Sequence, residues 1–107
     1  MANEIKPTVA IIGGGLSGLA SCKSALECGM DPTVLEKGSM IGGGWSREGF
    51  TPEGMQTNIS RYTCMFSDFE WKEGTPDFPT QKEFEEYLFN YATTFKIHPH
   101  VYLNSNV

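Results

Sequence analysis

Residues Val9–Ala20 read VAIIGGGLSGLA. Four apolar residues lead straight into Gly13, Gly14 and Gly15, and a further glycine follows at Gly18. The run Thr8–Ile12 is rich in β-branched residues and predicts a strand buried on both faces, as in a parallel sheet. Glycine gives a packed core nothing to pack. Its value here is backbone freedom and the close approach that a missing Cβ allows.

Working outward, the helix that follows is expected over 16–28. Leu19, Cys22 and Leu26 share one face, with Ala25 beside them. Gly29 stands where a left-handed residue commonly ends a helix. The segment TVLEK then predicts a second strand over 33–37. Strand, helix and strand make a βαβ unit, whose right-handed crossover requires parallel strands. The fold class expected is therefore α/β, a Rossmann-like unit.

Gly13, Gly15 and Gly18 match G-x-G-x-x-G. The first glycine permits the tight turn. The second lets a pyrophosphate reach the backbone, and the third lets the helix pack close to the strand. The leading amides of the helix, at its positive dipole end, then face the phosphates. Glu36, at the end of the second strand, is placed to accept hydrogen bonds from a ribose diol. A carboxylate there disfavours a 2′-phosphate, so the site suits an FAD or NAD type of adenosine over NADP. The plain alternatives are a glycine-rich structural turn and a solvated strand-end carboxylate.

Residues 38–79 are rich in glycine and proline yet carry Trp45, Phe50, Tyr62, Phe66, Phe69, Trp71 and Phe78. A loop of that length is expected to pack over something. The next helix, over 80–96, opens on a capping box formed by Thr80 and Glu83. Its apolar face repeats at helical spacing through Phe84, Tyr87, Leu88, Tyr91, Ala92 and Phe95. A third strand is expected over 100–104.

The chain has 107 residues and a net charge of -5, the scale of one domain or part of one. The acidic balance argues against nucleic acid as a partner. Cys22, Cys28 and Cys64 form neither a disulfide framework nor a metal pattern, which fits a cytoplasmic setting. No segment reads as a signal peptide or a membrane span. His98 and His100 flank Pro99 and read as solvent-facing rather than as metal ligands.

A second glycine cluster, IGGGW over Ile41–Trp45, suits a ligand longer than NAD. With it, the sequence resembles the flavin-containing monooxygenases and the related Baeyer–Villiger monooxygenases. The resemblance rests on VAIIGGGLSGLA, LEKGSMIGGGW, MQTNISRYTCMFSDF, and YLFNYATTF leading to VYLNSNV. It implies FAD as cofactor and NADPH as co-substrate, with oxygen transferred to a soft nucleophile such as an amine or sulfide. It implies that Gly13, Gly14, Gly15, Leu16, Ser17 and Gly18 hold the FAD pyrophosphate. Glu36 and Lys37 would lie at the adenosine ribose, and Gly43, Gly44 and Trp45 along the middle of the cofactor. Val107 would also contact the cofactor. Asn58 would sit by the flavin ring as the catalytic amide. Trp45 is equally readable as a core aromatic and Asn58 as a turn residue. Arg61 is readable as a phosphate contact or as a surface charge.

The family pattern also includes a second glycine fingerprint, for NADPH, which does not follow here. The expectation is an incomplete FAD domain that alone binds FAD weakly or not at all and is inactive, whose sheet edge is covered by a protein partner or by the remaining domain. In full-length relatives, regions not present here could supply membrane association. Two other readings stand beside it: a stand-alone dinucleotide-binding module, and a non-catalytic interaction remnant.

Overall fold

The computed structural model describes residues 5–107. Its elements in order are β1 (Thr8–Ile12), α1 (Leu16–Glu27), β2 (Asp31–Leu35), a 3-10 turn (Gly43–Trp45), α2 (Gln81–Thr94), a second 3-10 turn (His98–His100) and β3 (Val101–Tyr102). The three strands are parallel, in the order β1-β2-β3. Both crossovers step the same way across the sheet, so right-handedness puts α1 and α2 on one face. One core cluster accordingly joins Leu19 and Cys22 of α1, Val34 of β2, and Phe84, Leu88 and Tyr91 of α2. The result is an α/β Rossmann-like unit.

The opposite face of the sheet stays open among the described residues, with Ile12 63% and Tyr102 58% exposed. β1 therefore departs from the expectation of burial on both faces. Val9 and Ile11 are half-buried, while Thr8, Ala10 and Ile12 are exposed. The strand is apolar on both sides, but helices cover only one.

Several boundaries also differ from expectation. The second strand covers Asp31–Leu35 rather than 33–37. Pairing with β1 starts at Asp31 opposite Thr8, two residues ahead of the expected start. β3 joins only at Val34, so the N–H that Pro32 lacks has no strand opposite it on that side. Glu36 and Lys37 consequently fall just past the strand. α1 ends at Glu27 with Cys28 as its cap, and Gly29 takes a φ of 78°. α2 spans Gln81–Thr94 inside the expected 80–96, because Thr80 caps it and Lys96 turns left-handed with φ 58°. The third strand keeps only Val101 and Tyr102 of 100–104. Asn104 donates its N–H to the Gly38 carbonyl and Ser105 to that of Glu36, at 2.9 and 2.8 Å, which draws the chain out of the ladder.

The long connection packs mainly by its aromatics. Phe66 stacks on Tyr91 and Trp71 on Tyr87, each pair with ring centroids 4.1 Å apart. The Trp71 indole N–H donates to the carbonyls of Arg61 and Cys64. The Tyr87 hydroxyl accepts from the Phe66 amide at 2.8 Å and donates to the Phe69 carbonyl at 2.5 Å. Burial pushes this phenol up to about 12. Phe50, Tyr62 and Phe78 do not join the packing and are exposed. The expected capping box is present: the Thr80 hydroxyl accepts from the Glu83 amide, and Glu83 accepts from that of Thr80. Caps of this kind stabilise a helix by about 1 kcal/mol.

Candidate functional site

The site is built where β1 ends and α1 begins. Gly13 takes φ 101°, a value that side chains rarely allow, and this turns the chain off the strand. A Cβ on Gly18 would lie 1.9 Å from the Gly13 carbonyl oxygen. Gly18 is thus required by the contact between helix and strand. Gly15 caps the helix in extended geometry, and the first helical bond runs from the Leu19 amide to the Gly15 carbonyl at 2.9 Å. The amides of Leu16, Ser17 and Gly18 precede that bond and have no carbonyl inside the helix to meet. The side chains of Leu16 and Ser17 are exposed.

The two glycine clusters lie against each other. The Gly42 amide donates to the Gly14 carbonyl at 2.9 Å. A Cβ on Gly15 would meet the Gly43 Cα at 3.6 Å, an ordinary contact, whereas one on Gly43 would come within 3.1 Å of the Gly15 Cα. The bare backbone at Gly43 therefore permits the close approach of the two clusters, while Gly15 leaves a surface without a side chain. Gly43 itself has φ 58°.

Glu36 is only 8% exposed. Its Oε1 accepts from the Gly14 amide and its Oε2 from the Gly38 amide, both at 2.7 Å. One buried carboxylate thus ties the first glycine turn to the segment after β2. Each oxygen still has a lone pair to offer.

These pieces enclose a groove of about 570 Å³, lined by Gly13, Gly15, Glu36, Lys37, Gly43, Gly44 and Val107, among others. Residues far apart in the chain are brought together there. Gly14 joins through its bond to Glu36, while Gly18 faces inward. Trp45 does not line the groove. Its ring stacks on Phe84 with centroids 4.6 Å apart, and its carbonyl accepts from Gln81 Nε2. Of its two readings, the core aromatic matches this packing, because α2 offers a flat partner. Asn58 is exposed on a bend outside the groove, next to Thr57, whose hydroxyl donates to the Ile59 carbonyl. Arg61 also lies elsewhere. Its guanidinium rests over Tyr62, 4.6 Å from the ring centroid, and stands 3.6 Å from Asp77.

Sequence reasoning passed over Gly42, Ser46, Gly49, Ser105 and Asn106. Gly42 has φ 117°, and the others line the groove. Gly42 was visible within the GGG run. The rest depend on how the connection folds back, which no local spacing encodes. A second hollow of about 970 Å³ is lined by Ile41, Glu85, Phe89 and Val101, among others, and contains none of the candidate residues.

The groove suits a nucleotide, with backbone free of side chains at Gly13, Gly15 and Gly43 and a fixed carboxylate for a diol at Glu36, whereas Leu16, Ser17 and Gly18 at the start of α1 are not among its lining residues. Among the described residues, no helix is long and apolar enough to cross a membrane.

Known proteins agree with that geometry. The flavin-binding monooxygenase-like family model matches residues 6–107. Flavin-containing monooxygenase 1 of Mus musculus is 39% identical over 106 residues, covering 92% of this chain and 20% of the relative. The structure of S-allyl-L-cysteine S-oxygenase from Allium sativum superposes with a TM-score of 0.83 at 25% identity, covering 94% of this chain and 28% of that one. OTEMO in complex with FAD and NADP has the same fold, with a TM-score of 0.75 at 22% identity over 95% of this chain and 19% of that one. The chain spans about a fifth of the length of the curated relatives it matches. On the match across nearly its whole length, the chain belongs to the flavin-binding monooxygenase-like family.

Proposed function

We propose that the glycine groove holds the ADP half of FAD, and that this chain is the FAD-binding N-terminal portion of a flavin-dependent monooxygenase. One observation carries the reading. Gly13, Gly15, Glu36, Lys37, Gly43, Gly44 and Val107 line a single groove although they come from four separate segments.

In this reading the amides of Leu16, Ser17 and Gly18 receive the pyrophosphate, and the bare backbone of Gly13 and Gly15 lets it come close. Glu36 accepts from the ribose hydroxyls, already oriented by the Gly14 and Gly38 amides. Lys37, exposed beside it, adds a positive charge at the rim. Val107 offers its backbone at the adenosine end. When bound and reduced by NADPH, FAD supplies oxygen activation, and the substrate class is a soft nucleophile such as an amine or sulfide. The role of Asn58 beside the flavin ring rests on the resemblance of the TNIS segment to the family motif, since the residue lies outside the groove. A neutral amide there donates a hydrogen bond without giving up a proton. NADPH would bind through parts of the family protein that these residues do not form, so residues 1–107 alone are proposed to be inactive. The three free cysteines support a reducing, cytoplasmic setting.

The test is an FAD titration of the chain, followed by flavin fluorescence, with the parent and Gly15→Val. The parent should bind weakly, and the valine variant should lose affinity by at least about tenfold, since its branched side chain sits against the phosphate site. Far-UV circular dichroism checks that the variant stays folded, as the extended φ and ψ of Gly15 accept valine. Equal binding by a folded variant would place the cofactor elsewhere and remove the reading.

A further inference from the structure

A 2′-phosphorylated nucleotide needs cationic and hydrogen-bonding groups just after the second strand, where the 2′-position of the ribose falls. This chain has such groups. Lys37 is exposed and lines the groove. Ser39, two residues on, lines the neighbouring hollow and reaches the groove only through Glu48, to which it offers both an amide and a hydroxyl. Those two donors are already taken. Glu48 Oε1 accepts from the Ser39 amide at 2.9 Å, and its Oε2 accepts from the Ser39 hydroxyl. Glu48 lines the same groove as Glu36. A Cβ on Gly38 would be 3.1 Å from Glu36 Oε2 and 3.1 Å from Glu48 Oε1, so the two carboxylates flank one point of backbone.

We infer that Glu48 is a specificity residue: its carboxylate fills the place a ribose 2′-phosphate would occupy and holds the groove to unphosphorylated adenosine. The inference rests on the FAD reading of the groove and extends it to a residue outside the glycine motifs. Glu36 alone disfavours the 2′-phosphate by charge. Glu48 adds a second negative charge and also removes the donors that could bind that phosphate. The Ser39 hydrogen bonds and the neighbouring Arg47 hold the Glu48 carboxyl below its ordinary range, so it is charged at neutral pH. A family protein that meets both FAD and NADPH gains from such a device, because the 2′-phosphate is what separates their adenosine ends.

The test compares binding of ADP-ribose and 2′-phospho-ADP-ribose to the parent chain, Glu48→Ala and Glu48→Gln, by calorimetry. The parent should prefer ADP-ribose. Glu48→Ala frees the Ser39 donors and should tighten the phosphorylated ligand about tenfold, with ADP-ribose changed little. Glu48→Gln keeps the shape but not the charge, and should give a smaller gain. Raising the salt should narrow the parent's preference, because an exposed charge is screened. Parent binding of ADP-ribose with an unchanged preference in both variants would overturn the role of Glu48 and leave the groove assignment standing. Parent binding of neither ligand would overturn both.

Discussion

The groove and the aromatic side of the molecule are built by opposite means. At the groove, backbone meets backbone: Gly18 against Gly13, and Gly15 against Gly43, with no side chain between them. Behind it, the connection is held to α2 by large rings, Phe66, Phe69 and Trp71 against Tyr87 and Tyr91. The first region has no room for an added atom at Gly18 and little at Gly43, and the second tolerates no lost ring. A nucleotide site is made by withholding side chains, and the rings supply the rigidity that keeps the bare backbone in place. The second glycine cluster connects the two regions: Gly43 touches the first turn, and Trp45, two residues on, stacks on Phe84.

The hardest blow to this contrast is Trp71→Ala. Trp71 is 9% exposed and stacks on Tyr87. Its removal leaves a cavity and frees two carbonyls, and should lower unfolding stability by about 3–5 kcal/mol in urea titration. A loss under about 1 kcal/mol would mean the loop is not anchored by its rings. Gly18→Ala adds a single methyl where none fits. With its Cβ 1.9 Å from the Gly13 carbonyl oxygen, α1 must shift from β1, at a cost of up to about 3 kcal/mol. A fully stable variant with an unchanged groove would show that the helix–strand contact is loose.

The smallest effect expected is that of Tyr87→Phe. It leaves the Phe66 amide and the Phe69 carbonyl without their partner, costing about 1–2 kcal/mol. It should also alter the alkaline limb of stability. In the folded chain the Tyr87 phenol is raised to about 12 from the ordinary 10, so folding favours its neutral form. That contribution is complete below pH 10 and is lost as pH rises towards 12. The variant should therefore decline less steeply across that window in chemical denaturation. Tyr91, also pushed up by burial, keeps part of the slope. Identical slopes in parent and variant would mean that Tyr87 is not buried as described.

Much of the glycine turn was legible in advance, because its constraints are local. A strand followed by G-x-G-x-x-G has few backbone solutions, and Gly13 and Gly18 take the torsion and the close approach that the spacing demands. The capping box of α2 is local in the same sense. The start of β2 was not legible: the apolar run points to Thr33, and only pairing with β1 brings Asp31 and Pro32 into the strand. Nor could spacing tell which role Trp45 takes, since that depends on where α2 puts Phe84.

By itself, the sequence determined the parallel βαβ frame, the bare first turn, the acidic end of the second strand and the apolar stripe of α2. Each of these follows from torsional limits, helical spacing or charge within a few residues. Only the tertiary structure decided that Glu36 bonds to Gly14, that Glu48 bonds to Ser39, and that the two glycine clusters share one groove. The first pairing follows from β1 lying beside β2; the other two depend on how the 38–79 connection folds back, which is a matter of long-range packing rather than of any residue's own preference.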